Sequence, residues 1–303
     1  MSCADGNAVE QAVKQYYGET LRSTKDLKTG SCCVPPSLKP RIKEAMKLIH
    51  EEVVMKNYGC GLPFPEALEG CNALDLGSGS GRDSFVLSKL VGTSGKVFGV
   101  DMTENMLEIS RKYVTYHMEV FGYPEPNIEF KFGYLEDLAA AGVPKNFFDA
   151  IVSNCVITLC SDKKLVIQQA LEALKVGGEF VVSDIYCNRR RDKESEFTDD
   201  EAWDGYKFVS GTFRIFKIDP EMLSHPAKVT YNGLMEDNED KFEFGAGLTF
   251  KKGESVLVDK EISCILQTSR FKKYFQIEPI ESGVDQEFYK IARKNPFETE
   301  RAS

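Results

Sequence analysis

The run Ala73-Leu74-Asp75-Leu76-Gly77-Ser78-Gly79-Ser80-Gly81-Arg82-Asp83 constrains this chain more than any other stretch, because it carries an apolar strand ending into a three-glycine turn and then a helix start. Gly77, Gly79 and Gly81 tolerate a left-handed backbone and let the main chain approach a ligand with no Cβ in the way. A second strand, residues 96–100, leads into Asp101, twenty positions beyond Gly81. A carboxylate at that strand end is placed to accept both hydroxyls of a ribose. Two successive strands ending in such turns predict a doubly wound, mostly parallel α/β sheet of Rossmann-like type.

The spacing decides between nucleoside ligands. A dinucleotide fingerprint places its third glycine three positions after the second, where this chain has Arg82. The carboxylates Asp75 and Asp83 on either side of the turn would repel a pyrophosphate. They suit a ligand that carries an ammonium and a sulfonium group. S-adenosylmethionine has both.

Hydrophobic periodicity extends the βα series. Residues 38–57 read as one helix, with apolar positions Ile42, Ala45, Met46, Ile49, Val53 and Val54. Strands are predicted at 73–76, 127–132, 148–153 and 179–185. Helices are predicted at 82–90, at 104–121 behind an N-cap at Thr103, and at 163–175, the last closed by Gly177-Gly178. Residues 188–204 turn highly charged, starting from Arg189-Arg190-Arg191, and read as a surface connection. Short β-like runs at 212–216, 228–231, 242–250 and 255–258 then suggest a small carboxyl-terminal α+β unit. The expected organisation is an amino-terminal segment at 1–70, a cofactor domain at 71–187, a connection at 188–207 and the small unit at 208–303.

Charge and cysteine usage narrow the function. With 47 acidic against 38 basic residues the net charge is -9, which argues against a nucleic-acid surface. No apolar run approaches a membrane span and no leader pattern opens the chain, so a cytoplasmic protein without a membrane partner is expected. Nine cysteines in such a chain are expected to be reduced, ligating or reactive. Cys32 and Cys33 lie in a Gly/Pro-rich loop, Cys60 lies between Gly59 and Gly61, and Cys155 follows Asn154 at a strand's carboxyl end. Open α/β sheets bind ligands over that edge. Thiolates brought in from separate loops suit a soft, thiophilic centre. Cys71, Cys160, Cys187 and Cys264 read as small apolar residues, and the three histidines have no supporting constellation.

These residues resemble a family. Tyr58-Gly59-Cys60-Gly61, the 74–83 turn, Gly99-Val100-Asp101-Met102-Thr103, Val152-Ser153-Asn154-Cys155-Val156-Ile157 and Leu174-Lys175-Val176-Gly177-Gly178-Glu179 are similar to arsenite methyltransferases of the animal type. Phe208-Val209-Ser210-Gly211-Thr212-Phe213-Arg214 and Thr230-Tyr231-Asn232-Gly233 extend the likeness into the carboxyl-terminal part. The resemblance implies a class I methyltransferase fold and methyl transfer from S-adenosylmethionine to trivalent arsenic held by thiolates. Arsenite or its thiol conjugate would be the substrate. By position it assigns Cys33, Cys60 and Cys155 to catalysis, with Cys32 able to replace Cys33 as an arsenic ligand. Cofactor contacts fall to Asp75, Gly77, Gly79, Gly81, Asp101, Met102 and Asn154, with Leu135 and Glu136 on the adenine side. Thiol oxidation during turnover implies an external reductant such as thioredoxin or glutathione.

In one respect the chain departs from the family. Between Cys187 and Phe208 the family carries a helix, a strand and a fourth cysteine that are missing here, so apolar sheet-edge surface is expected. Two other readings remain: a methyltransferase for another small thiol or selenium acceptor, and a catalytically impaired arsenic-binding variant.

Overall fold

The computed structural model describes residues 11, 13–16, 38–59, 61–188, 207–223, 225–245, 247–280 and 289. Cys32, Cys33 and Cys60 lie outside the described residues, as does nearly all of the charged connection.

Five parallel strands build the main sheet: β1 (Asn72–Leu76), β2 (Lys96–Asp101), β3 (Ile128–Phe132), β4 (Phe148–Asn154) and β5 (Leu174–Cys187). An antiparallel sixth, β6 (Phe208–Phe216), pairs with β5, and the order is β3-β2-β1-β4-β5-β6. The order reverses between β1 and β4, which makes their carboxyl ends the topological switch point. Alternation along the strands supplies two apolar faces. Ala73, Ala150 and Val152 pack with α1 (Pro40–Lys47), α3 (Arg82–Val91) and α5 (Val114–Phe121) through Ile42, Phe85 and Met118. Leu74, Leu76, Ile151 and Phe180 pack on the other face with Val166 and Ala170 of α6 (Lys163–Ala173).

Several elements differ from their sequence-based expectation. The stretch 38–57 is two helices, α1 and α2 (Glu51–Met55), broken at His50, whose backbone is extended and whose Nδ1 accepts the Glu52 N–H at 3.1 Å. His50 N–H in turn donates to His117 Nε2 at 3.2 Å, and this tertiary partner together with the local Glu52 bond outweighs helix continuation. The stretch 104–121 breaks into α4 (Glu104–Lys112) and α5 at Tyr113. Thr103 sits at the N-cap position of α4 without a side-chain capping bond. Gly177 and Gly178 do not close α6. They belong to an irregular start of β5, where Gly177 N–H donates to Lys217 O at 2.7 Å and a Cβ would meet Thr268 O at 2.4 Å. The sheet also runs past the boundary drawn at residue 208, because β6 pairs with β5 along nine positions, from Glu179↔Phe216 to Cys187↔Phe208.

The carboxyl-terminal unit has β7 (Ala227–Tyr231) between β10 (Ser255–Val258) and β11 (Phe275–Pro279), plus a hairpin of β8 (Lys241–Gly245) and β9 (Leu248–Lys251). Helix α7 (Lys260–Thr268) is capped by Asp259, which accepts the Ile262 N–H at 2.9 Å. Tyr231, Phe242, Phe244, Phe250, Phe271 and Phe275 form an aromatic core of edge-to-face and tilted pairs. Glu179, fully buried in β5, joins this unit to the sheet through Arg214 of β6 and Arg270 after α7. Burial alone would raise the Glu179 pKa, but the two guanidinium groups outweigh it and hold the carboxyl below its ordinary range.

Candidate active site

A cavity opens over the carboxyl ends of β1, β2 and β4, with an empty volume of about 970 Å³ that includes solvent at its mouth. Gly77, Gly79 and Gly81 all take positive φ. At Gly77 a Cβ would lie 2.4 Å from Val156 Cγ2, so the turn closes on the cavity wall only with glycine there. Gly81, at φ 93°, takes the N-cap position of α3.

Two carboxylates give the site its polarity. Asp101, at the end of β2, accepts the Gly79 N–H (2.8 Å) on Oδ2 and the Thr103 N–H (2.8 Å) on Oδ1. The Thr103 side chain and the Met102 N–H also donate to this carboxylate. Burial raises its pKa against the pull of these bonds. Asp75, 2% exposed, accepts from Ser84 Oγ at 2.6 Å. Burial first, and then the neighbouring charge of Asp83, push its carboxyl up to about 8. A buried acid in this state is stabilised in its charged form by a cationic ligand. The glycine turn, this acid and the apolar walls of Met102, Met106, Leu135 and Leu159 together fit S-adenosylmethionine.

Of the residues expected to hold cofactor, Asp75, Gly77, Gly79, Asp101, Met102, Leu135, Glu136 and Asn154 line the cavity; Gly81 is not in the lining, and a Cβ there would meet Phe130 and Ser110. Asn154 is a partial exception, since its amide is spent on Gly61 and Asp83. Asp83, Thr103 and Met106 also line the cavity; the sequence singles out Asp83 by its charge and Thr103 only as a helix N-cap, while Met106 gives no signal. Cys155 lines the same cavity with φ 59°, a left-handed backbone for a residue with a Cβ. Its N–H donates to Ser183 O at 2.7 Å, one of the contacts that hold this strained conformation. Where the cysteines were expected to be reduced, ligating or reactive, Cys155 is disulfide-bonded. Its partner is none of the other described cysteines, since Cys71, Cys160, Cys187 and Cys264 are free thiols. Cys160, expected to be simple packing, lines the cavity as well, because the turn 157–159 folds it back over the pocket. Among the described residues no three His, Cys, Asp or Glu side chains gather as a metal site.

A doubly wound sheet with a glycine turn, strand-end carboxylates and a cavity at its switch point defines a class I methyltransferase. A family profile described as "Methyltransferase domain" matches residues 67–233, and one described as "Arsenite methyltransferase C-terminal domain" matches residues 224–303. The rat arsenite methyltransferase is 36% identical over 95% of this chain and 90% of its own length, and the human one 39% identical over 90% and 84%. The chain belongs to the arsenite methyltransferase family. The solved arsenic(III) S-adenosylmethionine methyltransferase from Chlamydomonas reinhardtii superposes with a TM-score of 0.75 at 28% identity, over 82% of this chain and 98% of that one. The alignment to the rat relative spans 333 positions against the 303 residues of this chain. It therefore includes at least 30 positions that this chain lacks, in keeping with the shortened stretch read from the sequence.

Proposed function

We propose that this chain transfers methyl groups from S-adenosylmethionine to trivalent arsenic held by cysteine thiolates, in the metabolism of arsenicals. The observation that carries the reading is Cys155: a strained, cavity-lining cysteine at the end of β4, facing the same space as Asp75 and Asp101. S-adenosylmethionine supplies an electrophilic methyl on a sulfonium sulfur. Asp101 holds the ribose, Asp75 faces the cationic end, and Leu135 and Glu136 wall the adenine side. Cys155, with Cys60 and either Cys32 or Cys33, binds As(III) once reduced, because soft thiolates match the soft metalloid. The arsenic lone pair would attack the methyl carbon while the carbon–sulfur bond breaks towards sulfur, with S-adenosylhomocysteine leaving and arsenic raised to As(V); two of the ligand thiolates would then supply the two electrons that return it to As(III), closing a disulfide between them. No proton leaves the nucleophile, so no general base is required; the protein contributes position and partial desolvation. The disulfide at Cys155 is a form that an external thiol reductant, such as thioredoxin or glutathione, must reopen before arsenic binds.

The test is incubation of the chain with arsenite, a thiol reductant and methyl-labelled S-adenosylmethionine. Labelled methylarsenicals are expected from the wild-type chain, none from Cys155→Ser and the wild-type yield from Cys264→Ser. Full activity in Cys155→Ser, or no arsenical product from any form, overturns the reading.

A further inference from the structure

We infer that Asn154, with Arg82 and Asp83, is a positioning clamp that sets the Cys60 segment in register with Cys155, and is not a cofactor ligand. The inference rests on the reading of Cys60 and Cys155 as arsenic-binding thiols, and it explains how two sulfurs from separate loops come to share one metalloid. Cys60 has Gly61 as its neighbour, and Cys155 has Asn154. Those two neighbours are bonded to each other twice: Asn154 Oδ1 accepts the Gly61 N–H at 2.9 Å, and Asn154 Nδ2 donates to Gly61 O at 2.8 Å. A neutral amide offers one donor and one acceptor side by side, so it pairs with a single residue's N–H and C=O as an adjacent strand would. The remaining Nδ2 hydrogen goes to Asp83 Oδ2 at 2.7 Å.

Behind the amide the network closes on itself. Arg82 Nε donates to Asp83 Oδ1 at 2.7 Å and Arg82 Nη2 reaches Gly61 O at 3.2 Å. With the Asn57 amide turned so that its neighbours are satisfied, its oxygen accepts from Arg82 Nη1 at 2.7 Å and from the Gly59 N–H at 3.2 Å. Both ends of the segment 57–61 are thus tied to one guanidinium. Asn154 and Asp83 are buried, at 7% and 4% exposure. The glycines flanking Cys60 are required by this approach. A Cβ on Gly59 would lie 2.5 Å from Asn154 Nδ2, and one on Gly61 would lie 2.2 Å from Ser183 Oγ. Ser183 is the residue whose carbonyl holds the Cys155 N–H. The two cysteine-bearing segments are therefore docked on common partners, and the order of that docking sets how well two thiols meet one arsenic.

The test uses the full, reduced chain and Asn154→Asp, which keeps the size of the side chain and the acceptor for Gly61 N–H but removes both donors and sets a second carboxylate against Asp83. The first readout is the yield of the Cys60–Cys155 crosslink with dibromobimane, a short dithiol reagent, mapped by peptide mass spectrometry. The second is the affinity for arsenite, and the third the affinity for S-adenosylhomocysteine by calorimetry. A crosslink yield at least fivefold lower and arsenite binding at least tenfold weaker are expected, with S-adenosylhomocysteine affinity within twofold of the wild type. An unchanged crosslink yield, or a tenfold loss of S-adenosylhomocysteine affinity with the crosslink intact, overturns the clamp. Should Asn154→Asp fail to fold, Arg82→Met removes the other anchor of Gly61 and Asn57 and is read by the same three measurements. The crosslink needs no arsenic. A wild-type chain that crosslinks but neither binds nor methylates arsenite therefore sinks the functional reading and leaves the clamp standing.

Discussion

Asp75 shows how one residue's surroundings set the conditions under which the site works. In the ligand-free protein its pKa is raised to about 8, first by burial and then by Asp83. The protonated form therefore dominates at neutral pH, and this residue takes stability away from the free fold as pH climbs from the ordinary aspartate range through about 8. A ligand with an ammonium and a sulfonium reverses the preference, because its charge favours the carboxylate. Binding of S-adenosylmethionine at neutral pH is thus expected to release a proton from Asp75, and affinity is expected to rise as pH goes from about 6 towards about 8. Calorimetry in buffers of different ionisation enthalpy counts the proton. Comparison with Asp75→Asn separates it from titration of the ligand itself. A proton count that is the same in both chains would mean that Asp75 does not face the cationic end.

At the scale of the element, β6 is the last strand of the main sheet, with no further strand paired to its outer side among the described residues. Phe208 and Phe213 are about half exposed, at 49% and 48%, and Phe213 makes an edge-to-face contact with Tyr186 at 4.9 Å. An edge strand with unpaired backbone groups and exposed aromatics is adhesive unless it carries charge. Phe213→Lys is expected to lower concentration-dependent association, read by light scattering, while shifting unfolding free energy by no more than about 1 kcal/mol, as surface changes do. Association that stays the same would show that this edge is not the adhesive face.

At the scale of the whole molecule, two cores of different kinds are joined through Glu179. Arg270, 6% exposed in its side chain, donates to Glu179 and through Nε to Glu66 O at 2.7 Å, while Arg214 reaches both Glu179 and Phe244 O. Replacing one cation leaves a buried carboxylate half compensated, which costs about 3–5 kcal/mol. Arg270→Ala is expected to lower unfolding free energy by about that amount and to separate the unfolding of the two units, measured by denaturant titration followed at two probes. One coincident transition at wild-type stability would show that the triad is not what joins them.

The sequence by itself determined the parts whose cause is local. Gly77, Gly79 and Gly81 between a strand and a helix, Asp101 at the end of the next strand, and alternating apolar runs fix a doubly wound sheet and the end at which it binds ligand, since the reasons are backbone sterics and side-chain period. Five strands fell where the pattern put them, although β5 began earlier and ran longer. Only the tertiary structure decided where long helices break, because His50 and Tyr113 answer to His117 and Glu52 from elsewhere in the chain. It alone put residues 208–216 into the main sheet, through pairing with β5. It likewise joined Asn154, which the sequence offered only as a cofactor contact, to Gly61, 93 positions away. A hydrogen bond at that sequence distance leaves no trace in periodicity or composition, because what selects it is the docking of two loops and not the propensity of either.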